Sequence, residues 1–181
     1  MIVVVNLKKE KGKLRMSEEE RQISHLFSNF KNQEIKKIRP LSGGSTSNCY
    51  QVTLNNGESY FLKKLTFGSG KDVFEKEADG LKKLNQTEGM NNTPRVHFYD
   101  ENILILDYIP SVAGQSSSWF NFGINLAKIH SIKSESFGLN YDNYIGRNRQ
   151  VNTSLKFQSK QSWGEFYFQN RLKFQLDMML K

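Results

Sequence analysis

Three short stretches of this chain carry residues whose types and order suit the holding of concentrated negative charge. Leu41 to Tyr50 reads LSGGSTSNCY, in which Gly43 and Gly44 are followed by Ser45, Thr46, Ser47 and Asn48. Two successive positions without a Cβ let the backbone come close to a ligand and turn its N–H groups toward phosphate oxygens. Lys63 stands in YFLKK and Glu77 in FEKEADGL. A lysine at such a place neutralises phosphate oxygens, and a carboxylate on a neighbouring helix keeps the lysine there. Each piece also has an ordinary reading. The glycines make a polar turn, Lys63 is a strand lysine beside Lys64, and Glu77 is one charge on a solvated helix face. Together and in this order they favour phosphate holding.

Other reactive side chains carry less. His25, His97 and His130 show no metal-ligand spacing with one another or with other ligands, and His130 reads as a structural histidine near a helix end. Cys49 lies close to the glycine stretch, where it could respond to oxidants, although a strand cysteine is more often simply packed.

The elements that must position these residues follow from pattern. Ser17-Glu18-Glu19-Glu20 is a capping-box sequence, and Ile23, Leu26, Phe27 and Phe30 follow at helical spacing, which predicts an amphipathic helix over 17–31. EIKKIRPLS, NCYQVTL and ESYFLKK read as three strands. The last two are joined through Asn55-Asn56-Gly57, a strong hairpin signal, so the glycine stretch lies at the tip of the first hairpin. A helix from about 71 to 85 puts Phe74, Ala78, Leu81 and Leu84 on one face. RVHFYD and ILILDYI add two strands, the second apolar enough for a buried central strand. Beyond Pro110 the pattern is helical, with Trp119, Phe122, Leu126 and Ile129 well spaced. Residues 136–158 show little periodicity, and from Ser162 onward Trp163, Phe166, Tyr167, Leu172, Leu176, Met179 and Leu180 predict one long helix with a broad apolar stripe.

Bulk composition sets the outer bounds. The 181 residues suffice for one domain or for two small lobes sharing a cleft. No apolar run is long enough to span a bilayer, and MIVVV, followed by lysines, is too short for a signal-peptide core. The single cysteine rules out an internal disulfide and points to a reducing cytoplasm. The net charge of +8 sits at the ends: five basic residues against Glu10 in 1–15, and seven against Glu165 and Asp177 in 147–181. A nearly neutral middle argues against a nucleic-acid face, a reading that would show itself as steeply salt-dependent binding to DNA or RNA.

A glycine-rich hairpin, a lysine on the third strand and a glutamate on the next helix are the nucleotide-holding parts of a protein-kinase-like fold, in which Asp107, Tyr108 and Ile109 would form the hinge whose backbone meets adenine. The chain further resembles the fructosamine-kinase, or ketosamine-3-kinase, family, relatives of aminoglycoside and choline kinases. The residues that carry the resemblance are LSGG at 41–44 with Tyr50, YFLKK at 60–64, and Phe74, Glu77, Ala78, Gly80 and Leu81. Pro94, LAKIH at 126–130, FGLNYDNYIGRNRQVN at 137–152, and Trp163, Phe166, Arg171, Leu172 and Gln175 complete it. It covers about residues 35–177, and the 137–152 segment discriminates best, since general kinases of this fold lack it.

The resemblance implies an α+β chain: a flexible basic leader (1–15), a nucleotide-binding lobe (16–108) with an antiparallel five-stranded sheet and one helix, and the first helices of a second lobe (109–181). It implies ATP and Mg2+ as cofactors, held through Gly43, Gly44, Ser45, Lys63 and Glu77. It also implies a ketosamine or glycated amine as substrate, phosphorylated on the third hydroxyl of its sugar, with Asn143, Gln150 and Asn152 on the sugar side. Family members continue into a His-Gly-Asp-Leu-Trp segment whose Asp is the base, followed by an Asn and a second Asp for magnesium, and this sequence holds none of these. Asp142 is no substitute, because the position five residues on is Arg147 rather than Asn, and it reads as a turn residue. The expectation is therefore a truncated member without catalytic residues of its own. The alternatives are a non-catalytic nucleotide- or partner-holding remnant, and a small-molecule kinase of the aminoglycoside or choline type.

An interrupted second lobe leaves the stripe through Trp163, Phe166, Leu172, Leu176 and Met179 without the elements it should cover. At about 25 cal/mol per Å2 of apolar surface, several wet side chains forfeit several kcal/mol, comparable with the stability of a small domain. The purified chain is expected to expose its last third to protease and to self-associate through it, more than a chain ending near Pro110. Equal protease resistance of both halves in a strictly monomeric sample would contradict this.

Overall fold

A computed structural model of the chain describes residues 16–42, 46–66, 72–86, 93–114, 116–146, 148–152 and 162–180. The expected leader and Gly43, Gly44 and Ser45 lie outside the described residues. Helix α1 (Glu18–Lys31) starts at the capping box: Glu20 N–H donates to Ser17 Oγ at 3.1 Å and Ser17 N–H to Glu20 Oε2 at 2.7 Å. Strands β1 (Ile35–Leu41), β2 (Ser47–Leu54), β3 (Ser59–Leu65), β4 (Val96–Tyr99) and β5 (Ile103–Asp107) form one antiparallel sheet in the order β1-β2-β3-β5-β4. The β2–β3 turn closes at Gly57 with φ 90°, a conformation that the missing Cβ makes inexpensive.

Alternation along β2 and β3 feeds two cores. Val52, Leu54, Tyr60 and Leu62 pack with Ile23 and Phe27 of α1, while Leu104 and Leu106 of β5, with Phe61 and Leu65, pack on Phe74 and Ala78 of α2 (Val73–Asn85). The sheet thus carries a helix on each face, and both stand where the apolar spacing of 17–31 and 71–85 put them. Each fully buried side chain of this size contributes roughly 1.5–3 kcal/mol. Leu84, expected on the packed face of α2, lies exposed near its end.

The second half is looser. None of the described side chains of α3 (Ser116–Ser131) is buried, and Trp119, Phe120 and Phe122 are each more than half exposed. The stretch without periodicity contains a small hairpin, β6 (Asn143–Ile145) and β7 (Asn148–Gln150), turning at Gly146 with φ 61°. The expected single helix after Ser162 is three segments: α4 (Trp163–Tyr167), a π-helical turn (Phe168–Lys173) and α5 (Phe174–Met179). The buried Asn170 sits in the π turn, with its Nδ2 donating to Phe166 O at 3.0 Å. The apolar stripe also divides. Leu172, Leu176 and Met179 are exposed, whereas Phe166, expected to be wet, is buried against Phe137, Trp163 and the Arg171 guanidinium.

Gly138 makes that burial feasible. Its φ is 75°, and a Cβ there would lie 2.6 Å from Asn152 Oδ1 and 2.9 Å from Phe166 Cζ. In α2, by contrast, a Cβ on Gly80 would meet nothing within 4 Å. Gly138→Ala is therefore expected to cost about 2–4 kcal/mol in urea unfolding. Gly80→Ala is expected to be neutral or to stabilise by up to about 1 kcal/mol. Equal effects of the two substitutions would contradict the packing described.

Candidate active site

Lys63 is next to last but one in β3, paired across the sheet with Cys49 on β2 and Leu104 on β5. Its side chain leaves the sheet on the α2 side, since residues of alternate parity, Tyr60 and Leu62, face α1. Glu77 lies one turn into α2, close to the face that Phe74, Ala78 and Leu81 turn to the sheet. Packing of that face brings the two charges together: Lys63 Nζ is 2.7 Å from both Glu77 Oε1 and Oε2. The pair is half-buried, and the ammonium also lies 5.7 Å from the Phe74 ring centroid. A cation gripped by both oxygens of one carboxylate is well localised. It retains one donor for a second anionic partner, because an ammonium has three N–H bonds.

The base of the β1–β2 hairpin is also fixed. Leu41 pairs with Cys49, and Thr66 Oγ1 donates to Thr46 O at 3.1 Å, so the strands on either side of Gly43–Ser45 are held beside the end of β3. Burial pushes the Cys49 thiol up from its ordinary pKa, with the Lys63 charge acting in the opposite sense, so the packed reading of this cysteine fits its surroundings.

At the end of β5, Asp107 is part of the sheet on both counts. Its N–H donates to Arg95 O at 3.0 Å, and its carboxylate accepts from Arg95 N–H and Nε and lies 2.6 Å from His97 Nε2. Burial pulls its pKa upward, but the bonds from His97 and Arg95 outweigh it and hold the carboxyl below its ordinary value. Tyr108 and the exposed Ile109 follow as chain leaving the sheet.

Asn143, Gln150 and Asn152 come together, but around a buried centre. Asn152 is 3% exposed; its Nδ2 donates to Tyr141 O, Asn143 Oδ1 and, more weakly, Gln150 O, while its Oδ1 accepts from Arg171 Nη2 at 2.6 Å. Asp142, expected as a turn residue, accepts from Asn152 N–H at 2.6 Å and pairs with Arg149 at 2.6 Å. Arg171 reaches Val151 O as well, and burial lowers its pKa while leaving it a cation.

Two residues that sequence reasoning passed over link this segment to α2. Tyr144 Oη donates to Asp72 Oδ1 at 2.7 Å, and Tyr141 Oη donates to Asp79 while accepting from Lys83 Nζ at 3.0 Å. A polar cleft of about 260 Å3 opens here, lined by Asp72, Lys76, Tyr141, Asp142, Tyr144 and Arg149. The only signal in the sequence was two tyrosines three apart in a polar stretch, which no periodicity distinguishes. Among the described residues no group of three or more His, Cys, Asp or Glu side chains could hold a metal ion, and no helix is long and apolar enough to cross a membrane.

This geometry agrees with what the chain is similar to. It is 31% identical over 147 residues to a probable ketoamine kinase of Synechocystis sp., covering 78% of this chain and 47% of the relative. It is 30% identical over 156 residues to a probable ketoamine kinase of Vibrio parahaemolyticus, covering 83% and 51%. A chloroplastic protein-ribulosamine 3-kinase of Arabidopsis thaliana matches at 29% identity, covering 80% and 44%. The chain spans about half the length of the curated relatives it matches. Among solved structures, fructosamine-3-kinase candidates from Thermobifida fusca and Haemophilus somnus superpose with TM-scores of 0.69 and 0.71 at 24% and 23% identity. They cover 82% and 87% of this chain against 50% and 53% of their own, and they share its kinase-like fold. A fructosamine kinase family model matches residues 17–181, and the chain belongs to that family.

Proposed function

We propose that this chain carries the nucleotide-holding part of an ATP-dependent phosphotransferase acting on ketosamines. One observation carries the reading: the Lys63–Glu77 pair stands on β3 and α2, beside the base of the glycine-rich hairpin. An ammonium fixed by a carboxylate, beside the strand ends that lead into a glycine-rich stretch, suits the α and β phosphates of ATP. In this reading Glu77 keeps Lys63 extended, Lys63 carries the counter-charge, and Gly43, Gly44 and Ser45 cover the phosphates. Tyr108 and Ile109 offer the backbone for adenine, with Asp107 holding the strand end through Arg95 and His97.

The described residues fit the nucleotide better than they fit a metal. Magnesium, when bound, would neutralise part of the phosphate charge. No residue described here is assigned to it. The substrate class is inferred from the family and from the ketoamine and ribulosamine kinases among the relatives. A ketosamine acceptor, in a reducing cytoplasm, is the reading we adopt for the protein as a whole.

Calorimetric titration with ATP and magnesium tests the central part. The chain is expected to bind saturably. Lys63→Met should weaken binding about 10- to 100-fold, the equivalent of one charged hydrogen bond lost. Binding unaltered by Lys63→Met, or no binding to a folded chain, would overturn the assignment.

A further inference from the structure

Resting on the nucleotide reading of Lys63 and Glu77, the structure says more about how that pair is kept in place. Helix α2 does not cap itself. Its N-cap residue, Asp72, makes no side-chain capping bond, and its carboxylate instead accepts from Tyr144 Oη, 72 residues further along the chain. One turn on, Tyr141 covers the outer side of the same helix. Lys76 Nζ and Lys83 Nζ lie 4.6 and 4.3 Å from its ring centroid, and its hydroxyl joins Asp79 and Lys83. Residues 76, 79 and 83 lie on the helix side opposite Phe74, Ala78 and Leu81, which face the sheet. Helix α2 is therefore held from both sides, by apolar packing on the sheet and by two tyrosines on the outside.

The tip of the same hairpin lies near the chain where it enters β2. A Cβ on Gly146, at its tip, would sit 3.9 Å from Thr46 Cγ2, the residue that follows Ser45. Its base is immobilised by Asn152, Asp142 and Arg171 on the buried Phe166. A strap fixed at its base, touching the helix of Glu77 along one side and coming close to Thr46 at its tip, lies alongside both α2 and the start of β2.

We propose that the β6–β7 hairpin is a brace for the nucleotide site, and that Tyr141 and Tyr144 are positioning residues that act through α2 to hold Glu77 against Lys63. The 137–152 segment then sets how well ATP is held, whatever it also does toward a sugar. Neither tyrosine touches Lys63 or Glu77 in the contacts described, so their effect must pass through the helix.

The test uses Tyr141→Phe and Tyr144→Phe, singly and together, which keep the rings and remove only the hydroxyls. Without nucleotide, hydrogen exchange read by mass spectrometry should quicken about fivefold or more over residues 73–85 in the double variant, with β1–β3 unchanged. With ATP and magnesium, the double variant should bind about fivefold more weakly, and the same change in a Glu77→Gln background should have less than about a twofold effect. Unaltered exchange in α2, or losses from the tyrosines and from Glu77 that multiply independently, would overturn the brace. If the unaltered chain binds no ATP, the nucleotide reading falls, and the exchange experiment still decides whether the hairpin holds the helix.

Discussion

Everything proposed for this chain depends on one charge being kept in one place. A lysine side chain has four rotatable bonds, and ordering it costs up to about 2 kcal/mol of rotamer freedom. Lys63 is ordered by a bidentate contact with Glu77, and the contact exists only while α2 stays at its depth and rotation on the sheet. The stripe of Phe74, Ala78 and Leu81 sets the depth, by filling the surface that Leu104 and Leu106 present. Rotation is harder to fix, because one apolar stripe on a sheet tolerates some roll. The contacts of Tyr141 and Tyr144 on the far side of the helix constrain that roll.

The segment that supplies those tyrosines has little apolar material, so polar contacts must hold it. Asn152 satisfies its amide inside the fold, Asp142 takes its backbone N–H, and Arg171 supplies a half-buried charge with carbonyl and amide acceptors. Such a network is unforgiving, since removing one member leaves another buried group without a partner, at about 1–3 kcal/mol for a neutral group and more for a charge. Phe166, Phe137 and Trp163 add the apolar floor beneath it. The exposed faces of α3 and α5 stand in contrast, with large side chains open to solvent and no comparable network among the described residues.

Legibility in the sequence followed the range of the interactions. The capping box at Ser17, the Asn-Gly turn and the alternating strands act over a few residues, and all stand where local pattern put them. Lys63 and Glu77 were legible because strand and helix were each clear and their order is that of a known phosphate-holding arrangement. The β6–β7 hairpin was not, because strands of three residues are too short to show a period. Nor could pattern show that Asn152 lies inside the fold. Asparagine in a polar stretch looks solvated until the chain folds back onto Arg171 and Phe166. The π turn at Phe168–Lys173 escaped for a similar reason, since a helical stripe gives no hint of where one extra residue enters a turn.

The most direct test of the account is a crystal structure of the chain with a non-hydrolysable ATP analogue and magnesium. The account predicts phosphate oxygens within hydrogen-bond distance of Lys63 Nζ, beneath residues 43–45, with Glu77 still in contact with the lysine and the hairpin still on α2. Analogue bound elsewhere, with Lys63 and Glu77 paired only with each other, would contradict it.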